Sequence, residues 1–174
     1  MEKRGFIIML VITIFVGLLI GYSYPFYKTK QQLKRNIENS YQSKAWKLYL
    51  AKDYDGAIKE FEKYIKKNKN NFFAYSGLGW SYYKKKDYDK AIQSFQTIIE
   101  LDPNPHESYD GLGLIYYELK DYDKAIEALE KAIELQPSDS ILYSKLGKSY
   151  YKVGKYQNAV ENFEKALIYN PNLL

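Results

Sequence analysis

The chain of 174 residues contains no cysteine, one histidine, two tryptophans and two methionines. Without cysteine there are no disulfides, thiolate zinc sites, iron–sulfur clusters or cysteine nucleophiles, and the redox compartment leaves no mark on the composition. A single histidine excludes a histidine-based metal cluster within one chain, and a Ser-His-Asp triad would have to be built on His106. His106 follows Pro103 and Pro105 and reads as an exposed loop residue. Paired carboxylates such as Asp121 and Asp123 recur at the same turn in several repeats, as repeat chemistry places them. No metal site, no cofactor and no enzymatic activity is expected.

A distributed excess of one charge is also missing. The formal net charge is +5, yet residues 1–37 carry six basic side chains and one acidic one, while residues 38–174 carry 20 of each. A nucleic-acid-binding domain draws its affinity from clustered positive charge, so nucleic acid is excluded as a partner.

The features that are present begin with an apolar run. Residues 5–24 hold no charged side chain and, as a helix rising ~1.5 Å per residue, reach across the roughly 30 Å core of a bilayer. The sequence predicts a four-residue N-terminal tail (1–4), a single transmembrane helix (5–24) and a basic juxtamembrane linker (25–37). Tyr22, Tyr24, Phe26 and Tyr27 suit the far interface. Lys3 and Arg4 would also begin a secretory signal peptide, but Gly21-Tyr22-Ser23-Tyr24-Pro25 offers no small-x-small cleavage site, so the segment reads as an uncleaved signal anchor. Gly17 and Gly21 make a G-x-x-x-G pair that lets helices approach closely in lipid. Two charge rules give opposite orientations. Four basic residues after the helix against two before it favour a cytoplasmic C-terminal side, whereas a short basic N-tail is the usual form of an anchor that exports its C-terminal domain; the repeats are expected on the extracytoplasmic side. If that side were cytoplasmic, Lys28 to Arg35 would lie as a basic strip against anionic headgroups; otherwise the segment is a polar linker.

From Glu38 onward the chain repeats itself. Rows of 34 residues align 38–71, 72–105, 106–139 and 140–173 without a gap. Place 4 holds Tyr41, Tyr75, Tyr109 and Tyr143; place 8 holds Ala45, Gly79, Gly113 and Gly147; place 17 holds Tyr54, Tyr88, Tyr122 and Tyr156; place 20 holds Ala57, Ala91, Ala125 and Ala159. Places 4, 7, 8 and 11 form one face of a first helix, and places 17, 20, 21, 24, 27 and 28 one face of a second. Small residues at places 8 and 20 let the two backbones cross closely. Pro103, Pro137 and Pro171, all at place 32, prevent the second helix from continuing.

This pattern resembles the tetratricopeptide repeat (TPR): Tyr at 4, Leu-Gly at 7 and 8, Tyr at 11, Ala at 20, Phe at 24 and Pro at 32. Rows two to four fit it best, and row one departs at Lys44 and Lys69. The resemblance implies an all-α fold, a right-handed superhelix of four TPR helical hairpins preceded by the transmembrane helix. It also implies a concave groove, lined by the first helices, that binds a peptide or a partner's helix. The groove residues expected are Trp46, Tyr49, Trp80, Tyr83, Asp110, Leu114, Tyr117, Glu118, Lys148 and Tyr151. For the tyrosines, packing between repeats is the competing role; the two tryptophans read as anchors for a partner. Some TPR domains hold a C-terminal carboxylate with basic and Asn side chains at places 5, 9 and 6; Gln42, Trp46 and Gly77 stand there, so that clamp is absent. The rows carry +3, 0, −6 and +3, so the acidic third repeat would suit a basic partner segment or else form a solvated face.

TPR arrays usually end in an extra amphipathic helix, and here only Leu173 and Leu174 are expected to cover the final helix. Val160, Phe163, Leu167 and Ile168 are therefore expected to form a C-terminal stacking face for a second copy or a partner. Two functions fit this layout. One is a membrane-anchored scaffold that holds a protein or peptide in its groove, helping assembly of a membrane or envelope complex. The other is a self-associating structural protein stacked through its last repeat, without a peptide ligand.

Overall fold

A computed structural model of the chain describes residues 44–173. The expected transmembrane helix, the basic linker, residues 38–43 of the first repeat, and with them Gly17 and Gly21, lie outside the described residues. Within them no helix is long and apolar enough to cross a membrane.

The described residues form eight helices: α1 (Lys44–Leu50), α2 (Tyr54–Lys67), α3 (Phe72–Lys84), α4 (Tyr88–Leu101), α5 (His106–Glu118), α6 (Tyr122–Leu135), α7 (Ser140–Lys152) and α8 (Tyr156–Tyr169). Each odd-numbered helix packs on the even one after it, and each even one packs on the next odd one. The first helices of neighbouring repeats also touch, α1 to α3, α3 to α5 and α5 to α7. That line of contact is the inner wall of a TPR-like stack.

The turn inside each hairpin is the same four times. Place 15 has a left-handed backbone: φ is 64° at Lys52, 62° at Lys86, 63° at Lys120 and 78° at Gly154. In the second repeat Lys86 N–H donates to the Tyr83 carbonyl (2.9 Å) and Asp87 N–H to the Tyr82 carbonyl (3.0 Å), with equivalent pairs in the other three. This is a Schellman closure, which satisfies carbonyls left open at a helix end. The next residue then caps the second helix. Asp53, Asp87 and Asp121 accept from the backbone N–H groups of Gly56, Lys90 and Lys124, three residues on. Lys155, at the same place in the fourth repeat, has no capping side-chain bond.

Second helices end two residues before Pro103, Pro137 and Pro171, at Leu101, Leu135 and Tyr169. Residues before a proline are pushed out of the helical region, and Asp102 and Asn170 are extended. α2 stops at the same place without a proline, where Asn68 is also extended.

The core tracks the repeat. Ala45, Ala57, Ala91, Ala125 and Ala159 are buried at the helix crossings, and Phe61, Phe95 and Leu129 fill the space between hairpins. Their burial is the main source of stability, at ~25 cal/mol per Å² of apolar surface.

Candidate functional site

The inner face is built outward from place 24. The Phe95 ring, almost wholly buried, lies between Gly79 of its own repeat and Gly111 of the next. A β-carbon at Gly79 would stand 3.0 Å from Phe95 Cζ, and one at Gly111 2.8 Å from it. Phe61 stands in the same relation to Gly77. In the third junction the ring is replaced by Leu129 and the glycine by Lys145.

Each tryptophan stands edge-on to one of these rings, Trp46 on Phe61 and Trp80 on Phe95, both at 5.2 Å between centroids. Edge-to-face pairs of this kind contribute about 0.5–1.5 kcal/mol beyond area burial. The tryptophans are thus partly committed to the core while one side of each stays accessible. Further along the first helices, the tyrosine at place 12 meets the tyrosine at place 17 in every repeat. The pairs are Tyr49–Tyr54 (5.6 Å), Tyr83–Tyr88 (6.0 Å), Tyr117–Tyr122 (5.3 Å) and Tyr151–Tyr156 (5.5 Å). Burial raises the Tyr83 hydroxyl above its ordinary value, and the Glu118 carboxylate, Tyr88 and Tyr49 raise it further. Tyr83 thus feels groups of the repeats on either side, Tyr49 and Glu118. Lys84 Nζ stands 5.6 Å from the Tyr83 ring centre, within cation–π range.

Two models of the tetratricopeptide repeat match the sequence, one over residues 72–105 and 140–173, the other, a TPR repeat model, over 113–154. A crystal structure of MamA is 30% identical and superposes with a TM-score of 0.70 over 75% of this chain and 77% of that one. The chain belongs to the tetratricopeptide repeat family. MamA residues 41 to the end, from Desulfovibrio magneticus RS-1, is 28% identical with a TM-score of 0.69, covering 78% of this chain and 76% of that one. MamA MSR-1, at 22% identity, TM-score 0.63 and 73% coverage of both chains, shares the fold. No curated protein matches the sequence significantly.

In this TPR array the residues expected in the groove occupy different settings. Trp46, Tyr49, Trp80, Tyr83, Leu114 and Tyr117 are half-buried along the first helices, whereas Glu118, Lys148 and Tyr151 are exposed. Asp110 is engaged: Lys145 Nζ of the next repeat donates to both carboxylate oxygens at 2.6 and 2.7 Å. On the far side, Val160 and Ile168 are exposed and Phe163 and Leu167 half-buried. Among the described residues no three His, Asp or Glu side chains assemble into a metal-binding group.

One expectation needs correction. His106 is not an exposed loop residue but the first residue of α5, half-buried, with Nδ1 shielded from water and unpartnered among the described residues. Pro105 takes the N-cap position before it, without a side-chain bond. Place 6 is a packing position that the 34-residue pattern does not mark: Gly77 and Gly111 there admit the rings of the preceding repeat. Its signal, glycine paired with phenylalanine at place 24 of the row before, recurs only twice.

Proposed function

We propose that the chain is a membrane-anchored TPR scaffold that binds a protein or peptide partner along its first-helix face and holds it near the bilayer. The observation that carries the reading is the set of aromatic rings Trp46, Tyr49, Trp80, Tyr83 and Tyr117, half-buried on helices that touch one another. Rings so held present large apolar area with little rotamer entropy left to lose on binding. The uncharged run at 5–24 supports the anchor, and the short basic tail before it supports an extracytoplasmic array. Assembly of a membrane or envelope complex is the task this layout suits.

Crosslinking and pull-down from native membranes, comparing the intact chain with a Tyr83→Ala, Tyr117→Ala double variant, tests the groove. These tyrosines are cleaner probes than the tryptophans, whose rings also support Phe61 and Phe95. A captured set unchanged by the double variant sinks the assignment. Release of the chain from membranes by alkaline carbonate would remove the anchor.

A second reading is self-association through α8. Supporting it, Val160 is 50% and Ile168 75% exposed, and Phe163 packs against one glycine, Gly147, where Phe95 lies between two. A monomer by light scattering of residues 38–174 at high concentration counts against it.

A further inference from the structure

Between α3, the end of α4 and the start of α5 lies an open cavity of about 180 Å³. Its apolar wall is formed by Phe72, Phe73, Phe95 and Ile98, and its charged wall by Asp102 and Glu107. Among the described residues no lysine or arginine lines it. Ser76, also in the wall, holds place 5 of the first-helix face, and Phe73, at place 2, is 42% exposed. The cavity therefore opens on the same face as the aromatic strip, one turn nearer the start of the helices.

The next junction is built differently. One repeat later Asp110 takes the place of Ser76 and is tied to Lys145, which takes the place of Gly111. There a carboxylate and an ammonium pair, where here Ser76 lines the cavity and the Phe95 ring covers Gly111.

Size and charge define what fits. An apolar protein cavity of ~150 Å³ takes up benzene, so this one holds a single aromatic ring. Two carboxylates, with His106 in the lining but no lysine or arginine, favour positive charge next to that ring. We propose that the cavity receives one aromatic side chain of a partner peptide, with a lysine or arginine beside it set against Asp102 and Glu107. The inference rests on the first-helix face being the partner-binding face, and it names the chemistry of the partner there.

Selection of a random phage-displayed peptide library on the full chain in detergent micelles tests it. The expected result is enrichment of Phe, Tyr or Trp flanked by Lys or Arg. Such peptides should bind about tenfold more weakly to Ser76→Phe, which fills the cavity. They should bind about fivefold more weakly to Glu107→Lys, a change on an exposed side chain that leaves the core untouched. Enriched peptides without the aromatic-basic pair, or with it but unaffected by Glu107→Lys, overturn the proposal. If those peptides nevertheless lose affinity to Tyr83→Ala, Tyr117→Ala, the groove stands and only the cavity assignment falls. Peptides indifferent to every variant, or no enrichment at all, overturn both.

Discussion

The ring of Phe61 occupies the space that a side chain at Gly77 would need. Phe61 is almost wholly buried, so its ring has no solvent to move into. The two residues belong to consecutive repeats, and their fit is what joins one hairpin to the next.

Gly77→Ala should therefore destabilise the array although alanine is the better helix former. Overpacking costs about 1–3 kcal/mol, against a propensity gain of about 1 kcal/mol. Adding Phe61→Leu should recover part of the loss, as the Leu129 and Lys145 junction accommodates a side chain at that place. Denaturant melts of the four combinations would read a coupling of about 1 kcal/mol or more. Strictly additive losses would show that the ring and the glycine are independent.

The turn of the fourth repeat is the natural place to separate backbone strain from capping. Gly154 has φ of 78° and open space where its β-carbon would be, so Gly154→Ala should cost about 1 kcal/mol through the backbone alone. Lys155→Asp should restore the cap that Asp53, Asp87 and Asp121 provide elsewhere. The gain should be about 0.5 kcal/mol or more, after losing the Lys155 contact 5.9 Å above the Tyr150 ring. Thermal melts check both, and a stabilising Gly154→Ala would refute the strain argument.

The pH dependence has two limbs. Burial, then the hydrogen bond its hydroxyl donates to Glu130 Oε1 at 2.6 Å, push the Tyr150 pKa up from 10.0 to about 12. A raised folded-state pKa stabilises the fold fully below the unfolded value, and that contribution is lost as pH rises from about 10 towards 12. On the acid side, the Lys90 ammonium holds Asp87 below the usual carboxylate range, so its contribution disappears as pH falls through that lowered value. Tyrosinate absorbance of the chain against Tyr150→Phe should show one phenol missing near pH 12. If the missing phenol titrates with the bulk near pH 10, the Tyr150 to Glu130 contact does not hold in solution.

Much of the fold is legible in the sequence because places 4, 8, 17 and 20 hold one residue type in nearly every row. Periodicity averages over rows, and it misses what alternates between them. The Phe61 to Gly77 fit recurs at Phe95 and Gly111 but not at Leu129 and Lys145. For the same reason Asp110 reads as a free groove carboxylate, although its partner stands 35 residues on, in the adjacent row. The left-handed turn is hidden differently: lysine holds that place three times, and only Gly154 displays the residue the backbone prefers. The cavity beside Ser76 is lined by residues of two successive repeats, which no single row reveals.

The variation at place 24 limits which repeat can follow which. Gly111 stands against Phe95, whereas Lys145 follows a repeat with Leu129 at place 24, so the fourth unit is not interchangeable with the third. Moving the fourth repeat directly behind the second would set Lys145 against Phe95, where even a β-carbon comes within 2.8 Å. Sterics at that seam thereby hold the fourth repeat behind the third, and arrays that set it behind the first or second should fail at the joint while every hairpin remains sound.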